Sequence, residues 1–511
     1  MKIFKRAFSA ILRFFARIAV SFNGIFNKDD ASSNPAGRGT GNEARPRKRL
    51  VDGVDADRFT RLCVILVIGA VSVLGAVLVA ASVRSGSHEI PVEDGEESDS
   101  RPSGSFTLSI GGNVMPTQEM LDCAYVDGKY NFRNGMSELS EVLAGDLTVV
   151  GLCGQVNVYG ENKQVGGFDA GKNYPSALAA TLSELGVNYI FGANQHALAN
   201  GYDGMCATIS NLHVKSVGVI GMTDSEPDKL NTRIARVNGI NVGLAGFNCI
   251  EGADYSKLTD DQKAHIANVT KDELADRAST DIIQLRGSGA EFIVVCVNWG
   301  GLGSFTETDF IKESAKKIAQ SGADVIVGYG PCVTLGAEVI AYKSGDTDRE
   351  CFVFYSLGSI YGNNLYPGQS KIMGLKGNLT DAQKKALETE KKLIQRSKTE
   401  MARSMTVNLN IARGSDGSVS VEQASYNPIY MIRNSAHGNE NSHLKYISVP
   451  CAKYVAAEER PAIFADDKEW EGCKAAFKAI CAIADRSGGR LVLRDLTETG
   501  GEEPDVSDGK I

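Results

Sequence analysis

The stretch VNYIFGANQHALANGYDGM, residues 187–205, combines a short apolar strand, a polar loop and the start of a helix. The loop carries Asn194 and His196, whose side chains are able to bind a metal ion or a phosphate group. In open α/β sheets, ligands bind in crevices outside the carboxyl ends of the strands. The stretch therefore predicts an α/β fold whose functional loops follow its strands.

The same alternation of strand and helix patterns extends to both sides of this stretch, beginning at residue 105. Near-continuous Val and Ile runs predict buried strands. The other segments with this pattern are SFTLSIGGNVM (105–115), DLTVVGLCG (146–154), SVGVIG (216–221), INVGLAGFN (240–248), AEFIVVCVNWG (290–300), ADVIVGYG (323–330) and ECFVFYSLGSI (350–360). Helical patterns occupy 174–186, 202–213, 279–289, 307–322, 379–403 and 466–486, and a hairpin is predicted over 404–433. Repeated alternation of this kind predicts an α/β domain with buried sheets.

A membrane span is predicted before this domain. Residues 62–83, LCVILVIGAVSVLGAVLVAASV, contain no charged side chain, and as a helix they would extend about 33 Å. Residues 1–61 carry 13 Lys and Arg against 6 Asp and Glu, which gives them a net charge of +7. Because the whole chain has a net charge of −8, the residues after 61 carry −15. Because positive residues stay inside, we expect an uncleaved signal anchor, a cytoplasmic N-terminus and an extracytoplasmic main domain at the cell membrane.

The rest of the chain divides by composition. Residues 1–27 predict a basic amphipathic helix suited to an anionic membrane surface, with a partner-binding helix as the alternative. The expected order of the other segments is a cytoplasmic linker (28–61), the span, an acidic linker (84–104), the α/β domain (105–450), a C-terminal helical extension (451–490) and a disordered tail (491–511).

Polar side chains also follow other predicted strands. Asn113, Asn298, Tyr329 and Ser356 each stand where an apolar run ends. Loops at the carboxyl ends of strands can converge on one pocket even when they are distant in sequence. The alternative is that these residues only form ordinary polar turns.

Six segments, in order, resemble the CapA capsule-synthesis family, also called the poly-γ-glutamate biosynthesis family. They are GGNVMP (111–116), DLTVVGLCGQV (146–156), LGVNYIFGANQHALANGYDGM (185–205), EFIVVCVNWGG (291–301), SGADVIVGYGPCVTLGAEVI (321–340) and FVFYSLGSI (352–360). The resemblance covers 105–365, with a weaker continuation to 450. It implies a metallophosphatase-like fold, a layered α/β/β/α domain, here outside the membrane and preceded by a single transmembrane helix.

The departures from the family pattern fall on the residues that carry its chemistry. Asn113 stands where the family has Asp, Cys153 where it has Glu, and Asn298 where it has His. Tyr329 and Gly330 replace an adjacent pair of His, and Cys332 replaces the His after Pro. A two-metal phosphoesterase site needs several anionic or imidazole ligands. We therefore expect a remnant metal pocket, formed by Asn113, Cys153, Asn194, His196, Asn298, Tyr329 and Cys332, with no assigned cofactor and a divalent metal as the open alternative.

Cysteine chemistry offers other interpretations of the same pocket. Cys153, His196 and Cys332 could form a soft metal site, and the two cysteines could pair as a disulfide. Cys296, two residues before Asn298, lies on the same strand face. The interpretation we favour is that small apolar thiol side chains refill a vacated pocket.

The function predicted from these observations is a membrane-anchored, extracytoplasmic component of capsule or poly-γ-glutamate-type polymer biosynthesis or export, acting by binding or scaffolding. The alternative is a metal-dependent phosphoesterase or other hydrolase of a cell-surface polymer, with His196 as the candidate catalytic residue, or with a Cys–His nucleophile pair. Expected partners are membrane lipids, through 1–27 and 62–83, and polymer or capsule-synthase subunits. The acidic exported part argues against nucleic acid.

Overall fold

The predicted α/β region forms two large sheets in a computed structural model that describes residues 104–156, 172–250, 255–301, 304–362, 379–434, 445–494 and 496. The predicted segments 1–27, 28–61 and 62–83 lie outside the described residues, as does the acidic linker up to residue 103. Within the described ranges, no helix has the length and apolar character needed to cross a membrane.

The strands are β1 Ser105–Val114, β2 Tyr125–Val126, β3 Lys129–Tyr130, β4 Leu147–Leu152, β5 Gln155–Val156, β6 Asn173–Tyr174, β7 Tyr189–Phe191, β8 Gly218–Ile220, β9 Arg233–Val237, β10 Ile240–Asn248, β11 Phe292–Asn298, β12 Val325–Gly328, β13 Ala337–Ser344, β14 Thr347–Phe354, β15 Ser359–Tyr361, β16 Arg403–Arg413, β17 Val419–Arg433, β18 Tyr446–Pro450 and β19 Val492–Leu493. The helices are α1 Gln118–Ala124, α2 Arg133–Met136, α3 Ser176–Glu184, α4 Gly201–His213, α5 Asp260–Lys263, α6 Leu274–Gly287, α7 Asp309–Gln320, α8 Asp381–Glu400 and α9 Asp467–Ala484.

The first large sheet, sheet one, has the strand order β18-β17-β16-β1-β4-β7-β8, with β15 beside β1 and β19 beside β17. Strands β1, β4, β7 and β8 run parallel. On the other side of β1, the strands β16, β17 and β18 add in antiparallel register. Ile110 in β1 thus pairs with Val149 on one side and with Val407 on the other, so β1 is a central strand.

The second large sheet, sheet two, has the order β13-β14-β12-β11-β10-β9. Its central strands β10, β11, β12 and β14 are parallel, and the two outer strands are antiparallel. Seven consecutive residue pairs, Val242–Phe292 to Asn248–Asn298, connect β10 to β11. This register places Asn248 and Asn298 side by side at the carboxyl end of the sheet.

The two sheets pack face to face. Phe106 of sheet one and Phe292 of sheet two meet edge to face with their ring centroids 6.4 Å apart. Along β11, Val294 faces the core shared with sheet one, whereas Val295 faces a second core that α6 and α7 cover. Helices α3 and α4 pack against sheet one. The predicted α/β class is therefore confirmed, and both sheets lie between helices.

Three boundaries differ from the sequence-based expectation. Helix α6 begins at Leu274 rather than at 279, because Leu274 and Ala278 join the apolar face that covers sheet two. The segment 350–360 is two strands, since the chain turns at Gly358, which adopts a φ of +78°. Residues 491–494 and 496, placed in the predicted disordered tail, are partly structured: β19 pairs with β17, and Leu496 is buried.

A partly buried ion pair connects α6 to sheet two at the amino ends of its parallel strands. Arg286 Nη2 lies 2.6 Å from Asp324 Oδ2, and the same oxygen accepts the backbone N–H of Ile293 at 2.7 Å. Burial raises the pKa of the Asp324 carboxyl group to about 6, although the Arg286 guanidinium opposes this shift. At neutral pH the carboxylate is charged and depends on its partner.

We expect Arg286→Leu to lower the free energy of unfolding at pH 7 by about 3 kcal/mol, because it leaves a buried carboxylate without its counter-ion. Without the guanidinium the pKa of Asp324 rises further. Above this raised folded-state pKa, the folded variant must hold a charged Asp324, which costs stability. Protonation of Asp324 removes that cost, so the loss in the free energy of unfolding should shrink as the pH falls to 5. Urea unfolding at the two pH values measures both effects.

The matched control is Arg133→Leu, which breaks the exposed Arg133–Glu184 pair with its 2.8 Å contact. Exposed pairs contribute little, so its loss should stay below about 1 kcal/mol at both pH values. Equal losses for Arg286→Leu at pH 5 and pH 7 would show that the Asp324 charge is not what the arginine compensates.

Candidate functional site

The polar residues predicted at strand ends meet at the carboxyl ends of β1, β4, β7, β11 and β12. Hydrogen bonds and sulfur contacts connect them across both sheets. The group, called here the strand-end pocket, comprises Asn113, Cys153, Lys172, Asn194, Gln195, His196, Asn298, Tyr329 and Cys332. The described structure thus brings every predicted site residue to one place and adds Lys172 and Gln195.

Asn113 is turned toward the loop that follows β12. Its Nδ2 donates to the carbonyl oxygen of Tyr329 at 2.5 Å and approaches Sγ of Cys332 at 3.4 Å. An aspartate at this position would repel the Tyr329 carbonyl oxygen, because a carboxylate is itself an acceptor and has no N–H to donate. The amide side chain suits this contact, and the carboxylate of the family pattern does not.

Tyr329 fills the centre of the pocket with its ring. The ring centroid lies 5.0 Å from that of Phe191 in β7. A Cβ atom at Gly151 would come within 2.5 Å of the Tyr329 ring, so the ring occupies space that only a glycine leaves open. The buried hydroxyl has no hydrogen-bond partner of normal geometry among the described residues, and the Cys296 thiol is the polar group beside it.

Two thiols and a thioether form a small buried cluster in the pocket, Met115, Cys153 and Cys332. Burial raises the pKa of the Cys332 thiol to about 12, and the neighbouring Cys153 thiol adds to this shift. Burial also raises the pKa of Cys153. Neither cysteine forms a disulfide, and both thiols are protonated at neutral pH. They therefore behave as small apolar side chains.

Cys332 has an unusual backbone conformation. Its φ is +57°, in the left-handed region that residues other than glycine adopt at an energetic cost. Pro331 precedes it, and Ser359 Oγ donates to the Cys332 carbonyl oxygen at 3.5 Å. The loop after β12 keeps a strained shape although the residue at its tip is not a metal ligand of the family pattern.

Lys172, which the sequence analysis did not identify, places an ammonium group inside the pocket. The side chain is fully buried, and its Nζ contacts Sδ of Met115. Its charge acts on Cys153, Cys332 and His196, so the ammonium lies near all three. Burial lowers the pKa of Lys172. A cation that belongs to the chain itself thus lies among the side chains expected to surround a metal ion.

The Asn194–His196 loop uses its polar atoms to hold its own shape. Asn194 Nδ2 donates to the carbonyl oxygens of Leu152 at 2.7 Å and Gly192 at 2.8 Å, and its Oδ1 accepts the N–H of His196. Burial and the Lys172 charge lower the pKa of His196 to about 3. The imidazole, which is partly exposed, is therefore neutral at physiological pH.

A chain of amide groups crosses from sheet one to sheet two. Asn298 Nδ2 donates to Gln195 Oε1 at 2.8 Å and to Asn248 Oδ1 at 2.6 Å. Asn248 Nδ2 in turn donates to Asn268 Oδ1 at 2.7 Å. Asn248 ends the predicted strand 240–248, so the same strand-end rule that selected Asn298 could have found it. These neutral groups satisfy one another without any charge.

The strand-end pocket does not fit the pair of divalent ions that the family resemblance implies. Dications need carboxylate, imidazole or thiolate donors, and an ammonium group repels them. A side chain at Gly330 would come within 2.0 Å of the Trp299 carbonyl oxygen, so this backbone leaves no room for the second histidine. Within the described ranges, no group of three or more His, Cys, Asp or Glu side chains is arranged to hold a metal.

A cleft with a volume of about 550 Å³ lies elsewhere, at the amino ends of the parallel strands of sheet two. Phe292, Asp324 and Arg349 are among its lining residues. None of the strand-end pocket residues lines it. The cleft is therefore separate from the candidate site, most of whose side chains are buried.

Comparisons with known proteins place residues 107–364 in a family described as bacterial capsule synthesis protein PGA_cap. The chain is 25% identical over 179 residues to the PGA biosynthesis protein CapA of Bacillus subtilis (strain 168), covering 35% of this chain and 43% of the relative. It is 27% identical over 180 residues to the capsule biosynthesis protein CapA of Bacillus anthracis, covering 35% and 41%. The match thus spans about two fifths of each relative.

Among solved structures, the NAD nucleotidase NadN of Haemophilus influenzae is similar with a TM-score of 0.35 and 12% identity, covering 76% of this chain and 64% of that one. The family match covers half of the 511 residues and includes every residue of the strand-end pocket. The chain therefore belongs to the bacterial capsule synthesis protein family PGA_cap.

Proposed function

We propose that this protein is a membrane-anchored, extracytoplasmic component of capsule or poly-γ-glutamate-type polymer biosynthesis or export, and that it acts by binding or scaffolding. Family membership supports the pathway, since the two curated relatives are named for PGA and capsule biosynthesis. The uncharged segment 62–83 and the basic residues before it support the anchor and its orientation.

One observation carries the binding role: the strand-end pocket is filled by the chain's own side chains. The Tyr329 ring occupies the space beside Gly151, and the Lys172 ammonium lies among Cys153, Cys332 and His196. A hydrolytic metal centre needs an open coordination position and a bound water. A pocket packed with an aromatic ring and a cation supports neither.

The rim of the pocket offers uncharged hydrogen-bonding groups that can bind a ligand. Gln195 and His196 are partly exposed, and a neutral imidazole offers one donor and one acceptor. The amide links of a polyglutamate chain need such donors and acceptors. Because the part of the chain after the span carries −15, general electrostatic attraction does not favour a polyanion. We therefore expect binding that depends weakly on salt.

A Cys–His hydrolase is the alternative that the pocket argues against. Such an enzyme needs a reactive thiolate beside a basic imidazole. Here burial raises the pKa of Cys332 to about 12, while burial and the Lys172 charge lower that of His196 to about 3. Both shifts oppose the ion pair that nucleophilic catalysis requires.

The proposal is tested by placing the full chain in lipid vesicles with γ-linked polyglutamate. We expect the polymer to sediment with the vesicles, to keep its length with or without added Mn²⁺ or Zn²⁺, and the protein to hold less than about 0.1 equivalent of metal. Gln195→Ala should weaken retention several-fold, whereas Gln284→Ala, on the exposed face of α6, should not. Metal-stimulated shortening of the polymer would favour the hydrolase.

The filling role of Tyr329 predicts opposite outcomes for two substitutions. Tyr329→Ala should lower the free energy of unfolding by about 4 kcal/mol, because it opens a cavity between the sheets. Tyr329→Phe should leave stability unchanged or raise it by about 1 kcal/mol, since the lost hydroxyl has no normal hydrogen-bond partner. Denaturant unfolding measures both. A strongly destabilised Tyr329→Phe variant would mean that the hydroxyl makes an essential contact.

The electrostatics of His196 predict that its imidazole does not titrate between pH 5 and pH 8. A folded-state pKa near 3 lies below the unfolded value of about 6.5, so this residue removes stability as the pH falls below 6.5. Nuclear magnetic resonance of the imidazole protons tests the first statement, with His196→Gln to assign the signal. A midpoint between pH 6 and 7 would contradict the partly buried environment of His196 beside the Lys172 ammonium.

A further inference from the structure

A third, smaller hydrophobic core lies between helix α9 and the end of strand β18. Its buried residues are Ile432, Ile447, Val449, Cys451, Phe464, Trp470, Cys473 and Ala476. Cys451 directly follows β18 and begins a short 3-10 helix, Cys451–Lys453. Cys473 lies on the inward face of α9. Both cysteines are fully buried, so neither serves as a surface thiol.

The two thiols belong to the same buried cluster of eight residues. After burial, the Cys473 side chain is the main cause that raises the pKa of Cys451. A third thiol, Cys481, lies two turns further along α9, is partly exposed, and is beside the Tyr426 hydroxyl. The chain therefore places one matched pair of cysteines across the helix–strand junction and one extra cysteine at its edge.

We propose that Cys451 and Cys473 form a disulfide bond when the protein is in an oxidising compartment. The inference rests on the extracytoplasmic location proposed above, because disulfides persist outside the cytoplasm and not within it. The bond would link the carboxyl end of β18 to the centre of α9. It would thereby fasten the C-terminal helix to sheet one.

The oxidant is a disulfide R–S–S–R, either a small molecule or an exported thiol oxidase. One cysteine thiolate attacks R–S–S–R, which forms a mixed disulfide and releases one R–SH. The second cysteine thiolate attacks the protein sulfur of that mixed disulfide, which forms the Cys451–Cys473 bond and releases the second R–SH. The two protein thiols lose two electrons and two protons, and both appear in the two R–SH molecules.

The position of the pair explains why oxidation should be slow and its effect large. Neither sulfur is accessible in the closed structure, so reaction requires α9 to open locally. Once formed, the bond closes a loop of about 20 residues, and the restricted unfolded chain stabilises the folded state. The loop 451–473 lies wholly within the described residues and includes Trp470, whose Nε1 donates to the Tyr454 carbonyl oxygen at 3.1 Å.

The test equilibrates the purified full chain with a glutathione mixture rich in the oxidised form and maps its peptides by mass spectrometry. We expect a linked peptide pair containing Cys451 and Cys473, with the loss of two hydrogens. The oxidised protein should melt about 5 °C higher than the same protein after dithiothreitol. Cys473→Ala should abolish both the linked pair and the effect of dithiothreitol on melting.

Cys481→Ala is the matched control on the same helix, and it should leave the linked pair and the melting shift intact. Both thiols remaining free at equilibrium, or Cys451 linking to Cys481, would overturn the proposal. A linked pair formed in the glutathione mixture but absent from protein isolated from cells would leave the chemistry intact and refute the extracytoplasmic location instead.

Discussion

Close packing at the carboxyl ends of the strands is the constraint on which the rest of this site depends. Protein interiors hold few voids, so the space between these strand ends must be filled by some group of the chain. The Tyr329 ring does this against Phe191 and above Gly151, where any side chain would collide with it. The exchange is reciprocal, because a larger residue at 151 would exclude the ring. Gly151 and Tyr329, which are distant in the sequence, are thus coupled by packing in space.

The same burial sets the electrostatics of the pocket. It raises the pKa of the thiols, and together with the Lys172 charge it lowers that of His196, so both the thiols and the imidazole favour their neutral forms. The amides of Asn298 and Asn248 complete this arrangement without charge. Apart from the Lys172 ammonium, the polar groups of the pocket are therefore consistent with one another, since neutral donors and acceptors need no counter-ion when water is removed.

The sequence predicted the strands well because their Val and Ile runs are buried on both faces, and it predicted the convergence of Asn113, Asn298 and Tyr329 because strand ends share one edge. It did not reveal Lys172, since the short strand β6 that follows this residue has no distinctive pattern. The interpretation of Asn194 as a ligand also needed correction, because its amide is occupied by backbone groups of the same loop and of β4. The direction of a side chain depends on contacts distant in sequence, and composition cannot supply them.

Strands β16, β17 and β18 lie beyond residue 364, where the family match ends, yet they form one side of sheet one. Six residue pairs, from Ser105–Ala412 to Ile110–Val407, join β16 directly to β1. A fragment ending at residue 364 would leave the backbone N–H and C=O groups of β1 unpaired along that side. Such an exposed strand edge is prone to self-association. The part of the chain that matches the family is therefore shorter than the folded domain, and the segment after 364 completes that domain.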